Sequence, residues 1–178
     1  MIDTCRLRIL CSILTVVLGL IGCQPSAATD SQILPVELQR AGSCGLHLPD
    51  NATPADKIVA VLRAEGSFVV AQDMDALLAL WQADGQVIDA RNTAEDERDD
   101  QRWSGTDALR HRYLYWVFPG GAAIVAPQDF DIHILDESAV VISTTSIDSE
   151  IAPGGDRWEV EETGGCWLIR KLTFNLER

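Results

Sequence analysis

Apolar and polar positions along this chain fall into three successive regimes. Residues 9–22 are an uncharged, mostly apolar run. From residue 53 onward the apolar positions recur every three to four residues: Ile58, Val61, Leu62, Phe68 and Val69 form one stripe. That period predicts a helix from Pro54 to about Gln72, with Thr53 as its cap, Pro54 at its first position and Asp56 in its first turn. Glu65 falls on the same apolar stripe. Asp73 is placed to cap a second short helix, Met74 to Trp81, and Asp84-Gly85 to turn the chain into a short strand, Gln86 to Ala90. Residues 92–102 read as a charged, mostly acidic loop. A third helix is predicted over 107–118, stopped by Pro119-Gly120-Gly121. After it come four strand-like runs: 123–135, 139–150, 157–163 and 166–176. The last two meet at Gly164-Gly165, a hairpin signal. Helices first and strands last predict an α+β fold, with N-terminal helices packed on a mainly antiparallel sheet.

The apolar run near the N-terminus follows Arg6 and Arg8 and ends in Leu20-Ile21-Gly22-Cys23. A positive segment followed by an apolar one is the layout of a signal peptide. As a helix the run would rise only about 21 Å, short of a ~30 Å hydrocarbon core. Leu20-Ile21-Gly22-Cys23 resembles the bacterial lipobox, in which the Cys thiol takes up diacylglycerol and the chain is cut just before it. The alternative is an ordinary signal peptide with a chance Cys. The expected organisation is a lipoprotein signal peptide over 1–22, a lipid anchor and linker over 23–53, and a domain over 54–178. The expected location is outside the cytoplasm, tethered to the bacterial cell envelope.

Charge narrows the partners. Of 178 residues, 27 are acidic and 14 are Lys or Arg, for a formal net charge of −13. Such a surface repels phosphate backbones, so nucleic acid is not an expected partner. It also repels anionic headgroups, so membrane attachment has to come from an anchor such as Cys23. With 47% hydrophobic and 23% charged residues, the composition is that of a globular domain rather than a disordered chain. Of five Cys, Cys5 and Cys11 lie in the leader and Cys23 at its end. Cys44 and Cys166 remain, either as a disulfide across a long loop or as two separate thiols. Cys44 and His47 lie close in sequence, but no second ligand pair follows at metal-site spacing, so no metal is expected.

Three local patterns carry a family resemblance. Trp81-Gln82-Ala83-Asp84-Gly85-Gln86-Val87-Ile88-Asp89 is similar to an aromatic-x-x-Asp-x-x-Val-x-Asp segment. Trp103-Ser104-Gly105-Thr106-Asp107-Ala108-Leu109 is similar to a Trp-x-Gly-x-x-Ala-Ile helix entry, and Gly165-Cys166-Trp167-Leu168-Ile169 to a closing Gly-x-Trp-x-Ile strand. Together they resemble the SnoaL-like, nuclear-transport-factor-2-like superfamily over residues 54–176. The resemblance implies a sheet curled into a cone over the first helices.

In the isomerase branch of that superfamily, Asp89 holds the position of the catalytic base. The branch's Tyr on the first helix falls at Glu65, and its second oxyanion donor falls near Arg157. The full isomerase set is therefore absent. A buried, unpaired Glu65 would cost several kcal/mol, so it has to line a wet pocket, pair with Arg157 or Arg170, or swing out to solvent. The third helix carries His111, Tyr113, Tyr115 and Trp116. Aromatics at this density point to core or pocket wall, with His111 at the surface. On the strand Asp129 to Ile134, alternation puts Asp131 and His133 on one face, either solvated or as an oriented base pair. Glu65, Asp89, Trp103, Tyr113, Trp116, Asp131 and His133 are the candidate pocket residues. No phosphate-binding Gly loop or nucleophile elbow is present, and no cofactor is expected. Two functions compete. One is a tethered, non-catalytic domain that binds a small apolar molecule, or docks a protein or a second copy of itself through the sheet. The other is a cofactor-independent isomerase-, cyclase- or dehydratase-type enzyme using Asp89 and Glu65.

Overall fold

A computed structural model describes residues 45–91, 97–151 and 154–176. Cys23 and Cys44 lie outside these, as does most of the 1–53 leader and linker.

Helix α1 spans Pro54–Ala71. Thr53 and Asp56 close a reciprocal capping box: Asp56 N–H donates to Thr53 Oγ1 at 3.2 Å, and Thr53 N–H to the Asp56 carboxylate at 2.9 Å. The helix ends at Gln72, which takes the left-handed conformation at φ 54°. Its buried face is the predicted stripe, Glu65 included. Helix α2, Met74–Leu78, is capped by Asp73, whose carboxylate accepts from Ala76 N–H at 3.0 Å.

The short second helix stops three residues before its predicted end, because Trp81 begins strand β1, Trp81–Asp89. Asp84-Gly85 is correspondingly not a turn before a strand. It sits in an irregularity within β1: Trp81 pairs with Ile169, but Gln86 already pairs with Lys171. Gly85 is required there, since a Cβ would lie 2.9 Å from the Trp81 ring and from Gln82 O. The end of the predicted acidic loop is likewise structured, as strand β2, Gln101–Ser104, antiparallel to β1.

Helix α3, Thr106–Arg112, is shorter than predicted. It runs on as one π-helical stretch, Tyr113–Val117, and a 3₁₀ turn, Phe118–Gly120. The sheet is completed by β3 (Val125–Leu135), β4 (Ser138–Ile147), β5 (Glu150–Ile151), β6 (Asp156–Thr163) and β7 (Cys166–Phe174). Gly164 and Gly165 both take positive φ, 61° and 83°, and make the β6–β7 hairpin. The strand order is β2-β1-β7-β6-β4-β3, with β5 on β4. All pairings are antiparallel except β1 with β7. The result is the expected α+β architecture, helices on a curved, mainly antiparallel sheet.

The core forms between α1 and the concave face of the sheet. Ile58, Leu62, Leu77, Leu109, Val141, Val160 and Ile169 are all at most 1% exposed. One contact sets how closely α1 approaches the sheet. At Gly66 a Cβ would stand 2.2 Å from Val125 O, so only a glycine lets the helix lie against the start of β3. The outer face of the sheet is polar and laced with ion pairs: Arg157 with Glu159 at 3.5 Å, Lys171 with Glu159 at 3.7 Å, and Arg170 with Glu161. No helix among the described residues is long and apolar enough to cross a membrane.

Candidate functional site

A cavity of about 380 Å³ opens between α1, the π-helical stretch and the inner face of the sheet. Its walls are mainly apolar, with Val69, Val117, Val125, Trp158, Leu172 and Phe174 among them. Against this lining stand three charged side chains, Glu65, Arg112 and Asp156, with Asp148 nearer the mouth.

Glu65 is 5% exposed and comes from the buried stripe of α1. Tyr113 Oη donates to its Oε1 at 2.8 Å, and among the described residues no other donor bonds it. Burial pushes the Glu65 carboxyl above the usual Glu range. The Tyr113 hydroxyl and the Arg112 charge pull it partly back, and the Asp156 charge adds a smaller upward push. Tyr113 is fully buried. Burial, and then the Glu65 charge, hold its hydroxyl protonated well above the ordinary tyrosine value, so it serves as a permanent donor. Among the described residues the buried Trp81 indole N–H has no acceptor at hydrogen-bonding geometry, and its dipole only weakly offsets the upward shift of the Tyr113 hydroxyl.

Asp156 is the second buried acid, 3% exposed, at the first position of β6. The Thr145 hydroxyl donates to its Oδ2 in a short bond. Burial raises its pKa, and the Thr145 bond only partly offsets that. Trp158, two residues on along β6, presents its ring to the cavity while its N–H donates to buried Ser143 Oγ at 2.9 Å.

Arg112 is held by ring faces. Its guanidinium carbon lies 5.2 Å from the Trp103 ring, 5.3 Å from Tyr113 and 5.1 Å from Phe174. Trp103 thus touches the site through Arg112 and does not itself line the cavity. The helical run from α3 into the π-helical stretch gives the grouping. Arg112, Tyr113, Trp116 and Val117 stand at i, i+1, i+4 and i+5, the spacing of one helical face, and all four reach the cavity.

Of the seven candidate pocket residues, Glu65, Tyr113 and Trp116 are brought together here. Asp89 is not. It accepts from Asn175 Nδ2 at 2.8 Å and from Arg91 N–H at 3.1 Å, with the Arg91 side chain 3.9 Å away, and lies outside the lining. Asp131 and His133 lie on the exposed face of β3, 3.3 Å from each other and 70% and 68% exposed. Neither Arg157 nor Arg170 pairs with Glu65, since both bond glutamates on the outer face. The aromatic run of the third helix divides. Tyr113 is core, while Tyr115 and Trp116 are 67% and 63% exposed and His111 stacks on Tyr115 at 4.6 Å.

Asp156 and Arg112 were missed by sequence reasoning. Asp156 is one residue before Arg157, where the resemblance put a second acid. It follows Gly154-Gly155 and looks like part of a turn. Arg112 lies among other cations in Arg110-His111-Arg112, and nothing in the sequence separates it from them. Cys166 is buried, 4% exposed, at the start of β7. Among the described residues no group of three or more His, Cys, Asp or Glu side chains converges as a metal site.

No protein-family model matches the sequence, and no curated protein matches it. Solved structures do match in three dimensions. A Nostoc punctiforme protein of unknown function with a cystatin-like fold aligns with a TM-score of 0.52 at 16% identity, over 68% of this chain and 90% of that one. An NTF2-like protein from Novosphingobium aromaticivorans aligns at 0.51 and 14%, over 67% and 79%. The chain has an NTF2-like, cystatin-like fold. An NTF2-like protein of unknown function from Shewanella oneidensis gives the same picture, at a TM-score of 0.51 and 15% identity, over 68% of this chain and 98% of its own. At these identities the likeness establishes the NTF2-like fold alone.

Proposed function

We propose that this NTF2-like domain is the exported, lipid-anchored part of a bacterial lipoprotein and binds a small apolar molecule without converting it. The observation that carries the binding reading is the cavity itself. At about 380 Å³ it falls in the range of small-molecule sites, roughly 300–1,000 Å³, and it pairs apolar walls with a few fixed polar groups. Trp116 and Ile147, 63% and 49% exposed, stand in its wall and give a ligand an apolar entrance.

Asp89 speaks for binding over catalysis. A proton-abstracting base has to reach its substrate, and Asp89 is tied to Asn175 and Arg91 outside the cavity lining. The acids that do line the cavity are occupied by fixed donors: Tyr113 on Glu65, Thr145 on Asp156, and the Ala123 and Ile124 N–H groups on Asp148. The anchoring half of the reading rests on Arg6, Arg8, the apolar run 9–22 and Cys23. A disulfide between Cys44 and Cys166 completes it, suited to an oxidising compartment.

Two experiments test the reading. Native mass spectrometry of the purified chain should find a small molecule bound in a one-to-one complex. Val69→Trp, which fills the cavity, should abolish that complex. A Val69→Trp variant that folds and keeps the complex would place the ligand elsewhere. For the anchor, Cys23→Ser should release the chain from the membrane fraction; continued membrane association would refute lipidation at that residue.

A further inference from the structure

The ligand's chemistry can be narrowed, on the reading that this cavity is a binding site. In a chain of net charge −13, Arg112 is the one cation among the described residues that lines the cavity wall. Most other cations near described acids are satisfied by them: Arg91 by Asp89, Arg102 by Glu97 and Asp100, Arg157 and Lys171 by Glu159, Arg170 by Glu161. Arg112 forms no ion pair and no hydrogen bond with any described residue.

Its surroundings explain why it stays in place without one. Trp103, Tyr113 and Phe174 present their rings to the guanidinium, and these three cation–π contacts stabilise the charge without a carboxylate partner. Ring contacts leave the N–H donors at the edge unused. Those donors are fixed in direction before any ligand arrives, so little side-chain freedom is lost when they are engaged. Carboxylates match that fork of donors, and such charge-assisted bonds are among the stronger ones.

We propose that Arg112 is the anion-recognising residue of the cavity, and that the ligand is a small apolar molecule carrying one carboxylate. The apolar body packs against Val69, Trp158 and Leu172, and the carboxylate meets the free edge of Arg112. Six other titratable or polar groups face this space and bear on the fit: Glu65 from α1, Tyr113 from the π-helical stretch, Thr145 from β4, Asp148 from the β4–β5 turn, Asp156 from β6 and Asn175 after β7. Glu65 and Asp156 are both disposed by burial to take up a proton. An entering anion raises that tendency further, and in its neutral form each acid presents an O–H to the ligand rather than a charge.

The test compares octanoate with octan-1-ol, which share an alkyl chain and differ at the head group. Binding to the purified full-length chain at pH 7 is followed through Trp116 and Trp158 fluorescence and by calorimetry. Octanoate should bind at least about tenfold tighter than octan-1-ol, roughly 1.4 kcal/mol. Arg112→Gln should bring the ratio of the two affinities to about one. Arg112→Lys keeps the charge and should retain a preference for octanoate, which secures the test if Arg112→Gln does not fold. Equal affinities in the wild type, or a preference that survives Arg112→Gln, would overturn the anion assignment and leave the apolar cavity reading standing. Failure of both probes to bind would overturn the two together.

Discussion

Tyr113 Oη donates a 2.8 Å hydrogen bond to Glu65 Oε1, joining two groups 48 positions apart at the wall of the cavity. One is an acid with a raised pKa and the other a phenol held protonated, so Tyr113 keeps a proton to donate at any working pH. Tyr113→Phe would leave a buried carboxylate with no donor. The loss should destabilise the domain by about 1–3 kcal/mol and push the Glu65 pKa further up. A denaturant melt that matches the wild type would show that the bond contributes nothing.

The raised acids give stability a direction with pH. An acid with a higher pKa folded than unfolded holds its proton longer in the native state. Its contribution is therefore fully present below the unfolded value, near 4.5 for Glu65 and 3.8 for Asp156. It is lost as pH rises through the raised native values and is level beyond them. Glu65→Gln should flatten part of this fall and raise stability near neutral pH. Chemical denaturation from pH 3.5 to 8 checks it, and an unchanged profile would mean that Glu65 is ionised at no cost.

Gly66 gives a prediction opposite to ordinary helix propensity. In an exposed helix interior, Gly→Ala gains up to about 1 kcal/mol. Here the new Cβ would meet Val125 O at 2.2 Å, and a backbone carbonyl in a strand cannot step aside cheaply. Gly66→Ala should instead destabilise by about 1–3 kcal/mol or more. A rise in Tm would show that α1 stands further from β3.

What the sequence made legible followed from local rules. The Thr53-Pro54-Ala55-Asp56 start of α1, the Gly164-Gly165 hairpin and the placement of Glu65 on the buried stripe all depend on neighbours in sequence. What it hid depended on partners far away. Trp81 has the pattern of a helix end, yet it pairs with Ile169 and starts a strand. Asp156 has the pattern of a turn residue, until Thr145 and burial make it part of the cavity. Which of Tyr113, Tyr115 and Trp116 reach the cavity depends on how the helical run packs on the sheet, which no neighbour in sequence records. Asp89 matched a family position, but its hydrogen bonds to Asn175 and Arg91 were not visible from that match.

With the Cys23 sulfur carrying lipid, the proposed disulfide predicts no free thiol in the processed, oxidised chain. Labelling of the denatured, unreduced protein should leave Cys44 and Cys166 unmodified, and removing the link should lower stability by several kcal/mol, on the order of 4. Two labelled thiols at these positions would rule the link out.

The central claim is that the cavity beneath the π-helical stretch is where this domain binds its ligand. The most direct measurement is an amide ¹H–¹⁵N chemical-shift titration with octan-1-ol, an uncharged apolar probe. The account predicts saturable shifts that converge on Val69, Tyr113, Val117, Thr145, Trp158 and Leu172. Shifts confined to Asp131, His133 and Glu159 on the outer face of the sheet, or no saturable shifts at all, would contradict it.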